Sequence, residues 1–316
     1  MVRQRTIFGG VATWFLVCLA GWFVWIGRAE SLRSSHPSGG ILPLFESQEE
    51  FVSPRVQQLP SVYLWAWERP EDLRFLAGKR IGVAFLAKTL FLRSPATITA
   101  SDTASGVEVR PRMQPLHVLA GTPLTAVVRI ETSQGAVAAT SQDSSRGPEV
   151  LSENQVSRAT EEIAEAARLP GVSAVQIDFD ATRSEQALYR ALLTETRKRI
   201  PANTRLSITA LASWCIGDRW LDQLPPGTID EAVPMLFRMG PGGAEIVNFA
   251  RSGKEFPVAA CKNSLGISTD EAFSRAILSG ELPFNRDSRT PKRIYLFAPQ
   301  RWDPVGTAAL LQEIGQ

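Results

Sequence analysis

The sequence predicts an α/β fold, a (β/α)8 barrel of the TIM type preceded by an N-terminal membrane segment. Eight short apolar runs rich in β-branched and aromatic residues occur between residues 61 and 299, and helical patterns fill most of the gaps between them. Strands that alternate with helices over about 250 residues are typical of this barrel. A doubly wound open sheet is the main alternative, but the sequence has no Gly-rich dinucleotide-binding turn to support it.

The eight predicted strands are short runs bounded by turn residues or by helical segments. They are SVYLWAW (61–67), RIGVAFLA (80–87), LTAVVRIE (124–131), SAVQIDFD (173–180), RLSITALAS (205–213), DEAVPMLFRM (230–239), SLGIS (264–268) and RIYLFAP (293–299). Two further strand-like runs, residues 89–101 and 106–118, predict a β-hairpin inserted after the second barrel strand.

Helices are predicted where apolar residues recur at a spacing of three and four. The longest run from Ser152 to Leu169 and from Thr182 to Ile200, the second ending just before a proline. Shorter helices are predicted at residues 218–224, 243–251, 270–278 and 305–314.

The N-terminus divides the chain into three segments: a membrane segment (1–27), a flexible tether (28–52) and the barrel (53–316). Residues 7–26 carry no charge and are long enough to span a bilayer at about 1.5 Å per residue. Arg3 and Arg5 favour a cytoplasmic N-terminus, which places the body in the bacterial periplasm on a single-pass anchor. The alternative is a signal peptide whose cleavage would release the body into the periplasm.

Composition excludes several classes of site. The net charge is +2 and no long basic run occurs, so we expect no nucleic-acid partner. The two histidines, His36 and His117, lie in the tether and the predicted hairpin, which disfavours a histidine metal site or a Ser-His-Asp triad. We therefore expect no metal or cofactor, and carboxylate chemistry if the protein is an enzyme. Cys215 and Cys261 are either a disulfide pair or two buried thiols.

The fourth predicted strand carries polar residues at alternate positions. Gln176, Asp178 and Asp180 share one face, which we expect to point into the barrel, because successive side chains of a strand alternate faces. Two neighbouring carboxylates raise the pKa of one of them, which suits a general acid. The alternative is a satisfied structural network inside the barrel. We predict Asp180 as general acid and Asp178 as the residue that tunes it.

Other strands add polar residues that we expect at the same end of the barrel. Arg129 and Glu131 share a face of the third strand, Thr209 lies on the fifth, and Arg238 lies near the C-terminal end of the sixth. Glu131 is the best second catalytic carboxylate. The arginines bind anionic groups or orient the acids, or they only neutralise buried acids as ion pairs.

Aromatic residues cluster at the predicted strand ends and form the rest of the expected binding site. Aromatic faces can stack against sugar rings, so these residues are candidates for substrate binding, although core packing is the alternative for each. With one adjacent acid, they are Trp65, Trp67, Glu68, Trp214 and Trp302.

Four motifs resemble those of a bacterial secreted family described only as a domain of unknown function: VQIDFDATRSE, SITALASWCIGD, DEAVPMLFRMG and SLGISTDE. The fourth strand is also distantly similar to that of family-18 glycoside hydrolases, the chitinase-like barrels, whose acidic residues alternate and end in a catalytic Glu. Gln176, Asp178 and Asp180 occupy the matching positions. This chain departs from that family because Asp180 is shorter than Glu and Arg238 stands where an acid is expected.

These observations together predict a glycoside hydrolase that acts on an envelope or extracellular polysaccharide. A glycan-binding protein on a degenerate hydrolase barrel is the first alternative, because a fold does not imply an activity. An envelope scaffold protein is the second alternative.

Overall fold

The chain folds into a closed barrel of eight parallel strands in the computed structural model, which describes residues 59–93, 105–132, 152–282 and 292–315. In chain order the strands of these residues are β1 (Val62–Ala66), β2 (Glu71–Asp72), β3 (Ile81–Leu92), β4 (Val107–Pro111), β5 (Leu116–His117), β6 (Leu124–Thr132), β7 (Val172–Asp178), β8 (Arg205–Leu211), β9 (Glu231–Met235), β10 (Ser264–Ser268) and β11 (Arg293–Phe297).

The barrel closes because β1 pairs in parallel with both β3 and β11. The remaining strands follow in the order β3, β6, β7, β8, β9, β10 and β11, and every neighbouring pair is parallel. Each of the eight predicted barrel strands is present. The predicted fold class is therefore confirmed as a closed parallel barrel with helices.

Helices follow β6 and each later barrel strand. They are α1 (Glu153–Ala166), α2 (Gln186–Arg199), α3 (Ala212–Ile216), α4 (Gly243–Arg251), α5 (Ala272–Leu278) and α6 (Pro304–Glu313). Ser152 begins α1 with a capping box that includes Gln155. Between β1 and β3 the chain instead forms β2 and one 3-10 turn, Arg74–Leu76. The helix α3 corrects the predicted fifth strand, which ends at Leu211 rather than at residue 213.

The region after the second barrel strand differs from the predicted hairpin in two respects. The second predicted hairpin strand is divided into β4 and β5, and β5 pairs in parallel with β2 instead of joining the hairpin. The first predicted hairpin strand is the continuation of β3, which crosses a register shift between Leu86 and Lys88 and then pairs antiparallel with β4. Lys88 donates to Glu162 and Glu165 of α1, at 2.7 Å each, and so fixes the extended end of β3 to that helix. Residues 94–104 lie outside the described residues.

A buried polar network fills the barrel at the N-terminal ends of its strands. Glu231 accepts from Arg293 Nη1 at 2.5 Å and from Tyr295 Oη at 2.7 Å. Tyr63 stacks on Tyr295 with ring centroids 5.0 Å apart. Gly82 is required beside them, since a Cβ there would lie 2.2 Å from the Tyr63 ring. We call the side chains of Glu231, Arg293, Tyr295 and Tyr63 the closed network.

Cys215 of α3 and Cys261 are joined by a disulfide with a Cα–Cα distance of 5.8 Å. Of the two alternatives left by the sequence, the structure has the bridge. Both residues are fully buried outside the barrel wall.

The predicted membrane segment (7–26) and tether (28–52) lie outside the described residues. Within the part of the chain that the structure describes, no helix is both long and apolar enough to cross a bilayer. The membrane anchor, the signal-peptide alternative and the periplasmic location all stay predictions.

Candidate functional site

An ion-paired cluster lies at the C-terminal ends of β6 and β7. Asp178, the last residue of β7, accepts a hydrogen bond from Thr209 Oγ1 at 2.8 Å and one from Arg129 Nη1 at 3.2 Å. Arg129 also donates from Nε to Glu131 at 2.8 Å. The alternation of side chains along the two adjacent strands therefore brings Arg129, Glu131 and Asp178 together, as the sequence predicted.

Asp180 lies two residues beyond Asp178, and both carboxyl groups border the same clefts. Unlike Asp178 it is exposed to solvent, and among the described residues it has no hydrogen-bond or ion-pair partner. Desolvation beside the cleft raises the pKa of Asp180, and the charge of Asp178 raises it further, whereas Arg129 lowers it. Asp180 is thus the carboxyl group of this cluster that is both accessible and inclined to hold a proton.

Burial and neighbouring charges oppose each other at Asp178 and Arg129. Desolvation raises the pKa of Asp178, although Arg129 and Thr209 act against the shift. Burial alone would lower the pKa of Arg129, but the charges of Asp178 and Glu131 outweigh it and the pKa is raised. Arg129 therefore stays charged and holds both acids in place.

Two clefts meet at this cluster. The first, which we call the acidic cleft, has a volume of about 310 Å³ and is bordered by Glu131, Thr132 and Phe179. The second, the aromatic cleft, has a volume of about 290 Å³. Arg129, Asp178 and Asp180 border both clefts. Asp180 therefore lies at the junction of the two clefts.

Four aromatic side chains line the second cleft. Trp65 and Phe297 meet edge to face with centroids 5.8 Å apart, and Phe237 stacks on Phe297 at 5.3 Å. Trp67 lies 5.8 Å from Trp65, with the Arg129 guanidinium 5.2 Å from its ring centroid. Trp65 and Trp67 therefore line this cleft, and their role in substrate binding stays a prediction. The sequence reasoning missed Leu211, Met235, Phe237 and Phe297, whose apolar side chains look like ordinary core residues in a sequence.

Trp214 and Trp302 are not at the site, which corrects their prediction as substrate-binding residues. Trp214 belongs to α3 and packs against Trp220 at 5.1 Å in the layer between barrel and helices. Trp302 is buried behind β1, where its Nε1 donates to the Trp65 carbonyl oxygen at 2.9 Å. In both cases the chain has left the strand, so strand alternation no longer sets the direction of the side chain.

Glu68, Gln176 and Thr209 hold the architecture around the site. The Glu68 carboxylate accepts backbone N–H groups of Met113 and Gln114, so it anchors a loop rather than lining a cleft. Gln176 is buried inside the barrel and donates to Ser207 Oγ at 3.0 Å. Glu68 and Gln176 are engaged in these hydrogen bonds away from the clefts, which corrects the prediction that they contact substrate. Thr209 donates to Asp178 and so positions that carboxylate.

Arg238 borders the aromatic cleft from a loop, not from a strand. β9 ends at Met235, and Arg238 has a φ of 50°, in the left-handed region that non-glycine residues rarely adopt. Its backbone N–H donates to Glu271 at 2.9 Å, and its Nη2 donates to Asp270 at 3.3 Å. Arg238 therefore pairs with Asp270 and does not neutralise the acids of the β7 strand.

A metal centre would need several ligating side chains in one place. Within residues 59–93, 105–132, 152–282 and 292–315, no group of three or more His, Cys, Asp or Glu side chains is placed to hold a metal ion. The Arg129 guanidinium instead forms ion pairs with two acids of this cluster, Glu131 and Asp178.

Comparison with known proteins gives a family match without an activity. The search of curated proteins returned no match. Residues 120–233, which include β6 to β8 and therefore Arg129, Glu131, Asp178 and Asp180, match the family model of a domain of unknown function (DUF3142).

Proposed function

We propose that the protein is a glycoside hydrolase that cleaves an envelope or extracellular polysaccharide, with Asp180 as general acid. One observation carries the proposal: an accessible carboxyl group with a raised pKa lies at the junction of two clefts, next to a second carboxylate that is held by Arg129 and Thr209. Enzymes of this class use a protonated carboxyl group to protonate the leaving oxygen.

The other groups of the cluster have supporting roles in this proposal. The pKa of Asp180 is raised first by desolvation and then by the charge of Asp178, which favours the protonated form that a general acid needs. Glu131 borders the acidic cleft and supplies the second carboxylate that glycoside hydrolysis requires, as base or nucleophile. Trp67, which is partly exposed, offers an apolar face to a sugar ring in the aromatic cleft, and Trp65, which is only 4% exposed, packs behind it.

The proposed substrate is consistent with the location inferred from the N-terminus. If residues 7–26 anchor the chain in the inner membrane, the barrel faces polymers of the periplasm, which include glycans. Cleavage of the same segment would release the barrel into that compartment without changing its site.

The proposal is tested by purified full-length chain acting on a panel of envelope and extracellular polysaccharides, with reducing ends and products measured. Asp180→Asn should lower the turnover of any cleaved glycan by about 10²- to 10⁴-fold, the usual contribution of a general acid. Asp72→Asn is the matched control, since Asp72 is an exposed aspartate that borders neither cleft. Unchanged turnover in Asp180→Asn would contradict the proposal.

A glycan-binding protein is the second candidate, and one observation favours it. Arg129 bonds to both Asp178 and Glu131, so two of the three carboxylates of the cluster are engaged in an ion-paired network. A glycan array paired with product analysis separates the candidates: binding without cleavage of any bound glycan would favour this one. The third candidate, an envelope scaffold protein, is disfavoured because clefts are open at the Asp180 end of the barrel.

A further inference from the structure

The two arginines that border the aromatic cleft are held in different ways. Arg129 donates to Glu131 and to Asp178 and lies against Trp67, so its guanidinium is committed to the ion-paired cluster. Arg238 makes one side-chain hydrogen bond among the described residues, to Asp270 at 3.3 Å, and its side chain is 54% exposed. A guanidinium has five N–H donors, so Arg238 retains donors for a ligand.

Several contacts place the Arg238 guanidinium at the cleft. It lies 5.5 Å from the ring centroid of Phe297, which lines the cleft. Glu271 accepts the backbone N–H of Arg238 and supports its left-handed conformation. Asp270 is also bonded by Ser268, so the carboxylate that faces Arg238 is shared between two donors. The backbone is thus held in an uncommon conformation that sets this cation beside an aromatic wall.

We propose that the aromatic cleft binds a sugar ring that carries an anionic substituent, and that Arg238 is the residue that recognises the anion. This inference rests on the proposed function, because it takes the occupant of the cleft to be a glycan. A planar guanidinium binds carboxylate, sulfate and phosphate oxygens in bidentate geometry, and the aromatic walls provide an apolar face for the ring. The shared chemistry is therefore an acidic saccharide.

The test measures binding to full-length chain by calorimetry, with three probes of equal length: an oligogalacturonide, the same oligosaccharide after reduction of its carboxyl groups to alcohols, and a sulfated oligosaccharide. We expect the neutral probe to bind at least tenfold more weakly than an anionic one. The two anionic probes distinguish a carboxylate from a sulfate as the preferred group. Weaker binding at higher salt should accompany the anionic probes.

Arg238→Gln should weaken the binding of the preferred anionic probe about tenfold or more and leave the neutral probe unchanged. Arg238→Lys, which keeps the charge but loses the planar fork, should restore part of the loss. Arg74→Gln is the matched control, because Arg74 is similarly exposed (59%), pairs with an aspartate and borders neither cleft. It should change nothing.

Equal binding of charged and neutral probes, equal weakening of both by Arg238→Gln, or no binding of any probe would overturn the inference. Its failure is distinguishable from failure of the proposed function, because cleavage is measured separately. Cleavage of a neutral glycan without any preference for acidic probes would remove the inference and keep the hydrolase. Binding of anionic probes that depends on Arg238, without cleavage of any glycan, would keep the inference and remove the hydrolase.

Discussion

At one end of the barrel Glu231 and Arg293 are each less than a tenth exposed, whereas at the other end the Arg129 side chain is one third exposed and Asp180 is open to solvent. Both ends contain an arginine, carboxylates and aromatic rings. In the closed network, the two oxygens of Glu231 both have partners, in Arg293 and in the Tyr295 and Ser207 hydroxyls. At the mouth, Asp180 has none among the described residues.

The exposure and the partners of a carboxylate distinguish a structural polar network from a candidate site better than the residue type does. A buried charge is tolerated when its lone pairs and its charge are compensated, and the Glu231 carboxylate of the closed network meets that condition. Asp180 instead has only partial desolvation, a neighbouring charge and access to the clefts, which is the usual situation of a group that exchanges protons with a ligand. If the two ends differ as much in energy as they do in contacts, substitutions at the closed network should cost far more stability than substitutions at Asp180.

The largest effect is expected at the closed end. Glu231→Gln would remove the carboxylate that faces Arg293 at 2.5 Å in a site 2% exposed. Loss of one partner from a buried pair leaves an uncompensated charge, so the free energy of unfolding should fall by about 3–5 kcal/mol. Urea or thermal denaturation measures it.

The control for that substitution is Glu195→Gln, which removes an exposed partner of Lys198 on α2. It should cost at most about 1 kcal/mol, as exposed ion pairs do. A cost for Glu231→Gln no larger than that of Glu195→Gln would show that the closed network is not a buried ion pair in energetic terms, and the comparison would fail.

A smaller effect is expected where the two regions meet. Thr209→Val keeps the shape of the side chain but removes the 2.8 Å hydrogen bond to Asp178, which keeps Arg129 as a partner. Hydrogen bonds to charged groups contribute about 1.5–3 kcal/mol, so denaturation should reveal a loss in this range, below that of Glu231→Gln. Thr122→Val, which removes a hydroxyl from an exposed turn, is the control. A loss equal to that of the control would show that the buried hydrogen bond to Asp178 contributes no more than a hydrogen bond in an exposed turn.

Much of the barrel could be predicted from the sequence because each strand is a β-branched or aromatic run with recognisable ends. The continuation of β3 could not, since a bulge at residue 87 leaves no signal in an alternating apolar pattern. The α3 helix was missed because Ala212 and Ser213 extend an apolar strand run without a break.

Part of the polar site was predictable for a physical reason: alternation along β6 and β7 sets the direction of Arg129, Glu131 and Asp178, and Asp180 follows two residues after the end of β7. The apolar part was not. Trp65 follows the same alternation, but Trp214 and Trp302 lie beyond strand ends, and Phe237 and Phe297 line the cleft with side chains that suit a core equally well. The position of Arg238 depends on a left-handed backbone and on Glu271, which are tertiary features.

The smallest expected effect is the pH dependence of stability that comes from Asp180, at the open end of the barrel. Because the pKa of Asp180 is raised in the folded state, the folded protein keeps this proton to a higher pH than the unfolded chain does. The resulting stabilisation is complete below the unfolded pKa of about 4 and is lost as the pH rises through the folded pKa. Asp180→Asn cannot titrate, so its stability relative to wild type should rise by a few tenths of a kcal/mol between pH 4 and neutral pH, an amount usual for an exposed residue.

Asp72→Asn should have the opposite slope and so serves as the control in the same denaturation series. Hydrogen bonds from the Arg74 side chain lower the pKa of Asp72, so that residue stabilises the folded state above its unfolded pKa and loses the effect as the pH falls. Its asparagine variant should therefore lose stability relative to wild type as the pH rises. If the two variants had slopes of the same sign, Asp180 would be an ordinary surface carboxylate, and the contrast between the two ends of the barrel would no longer single it out as the acid.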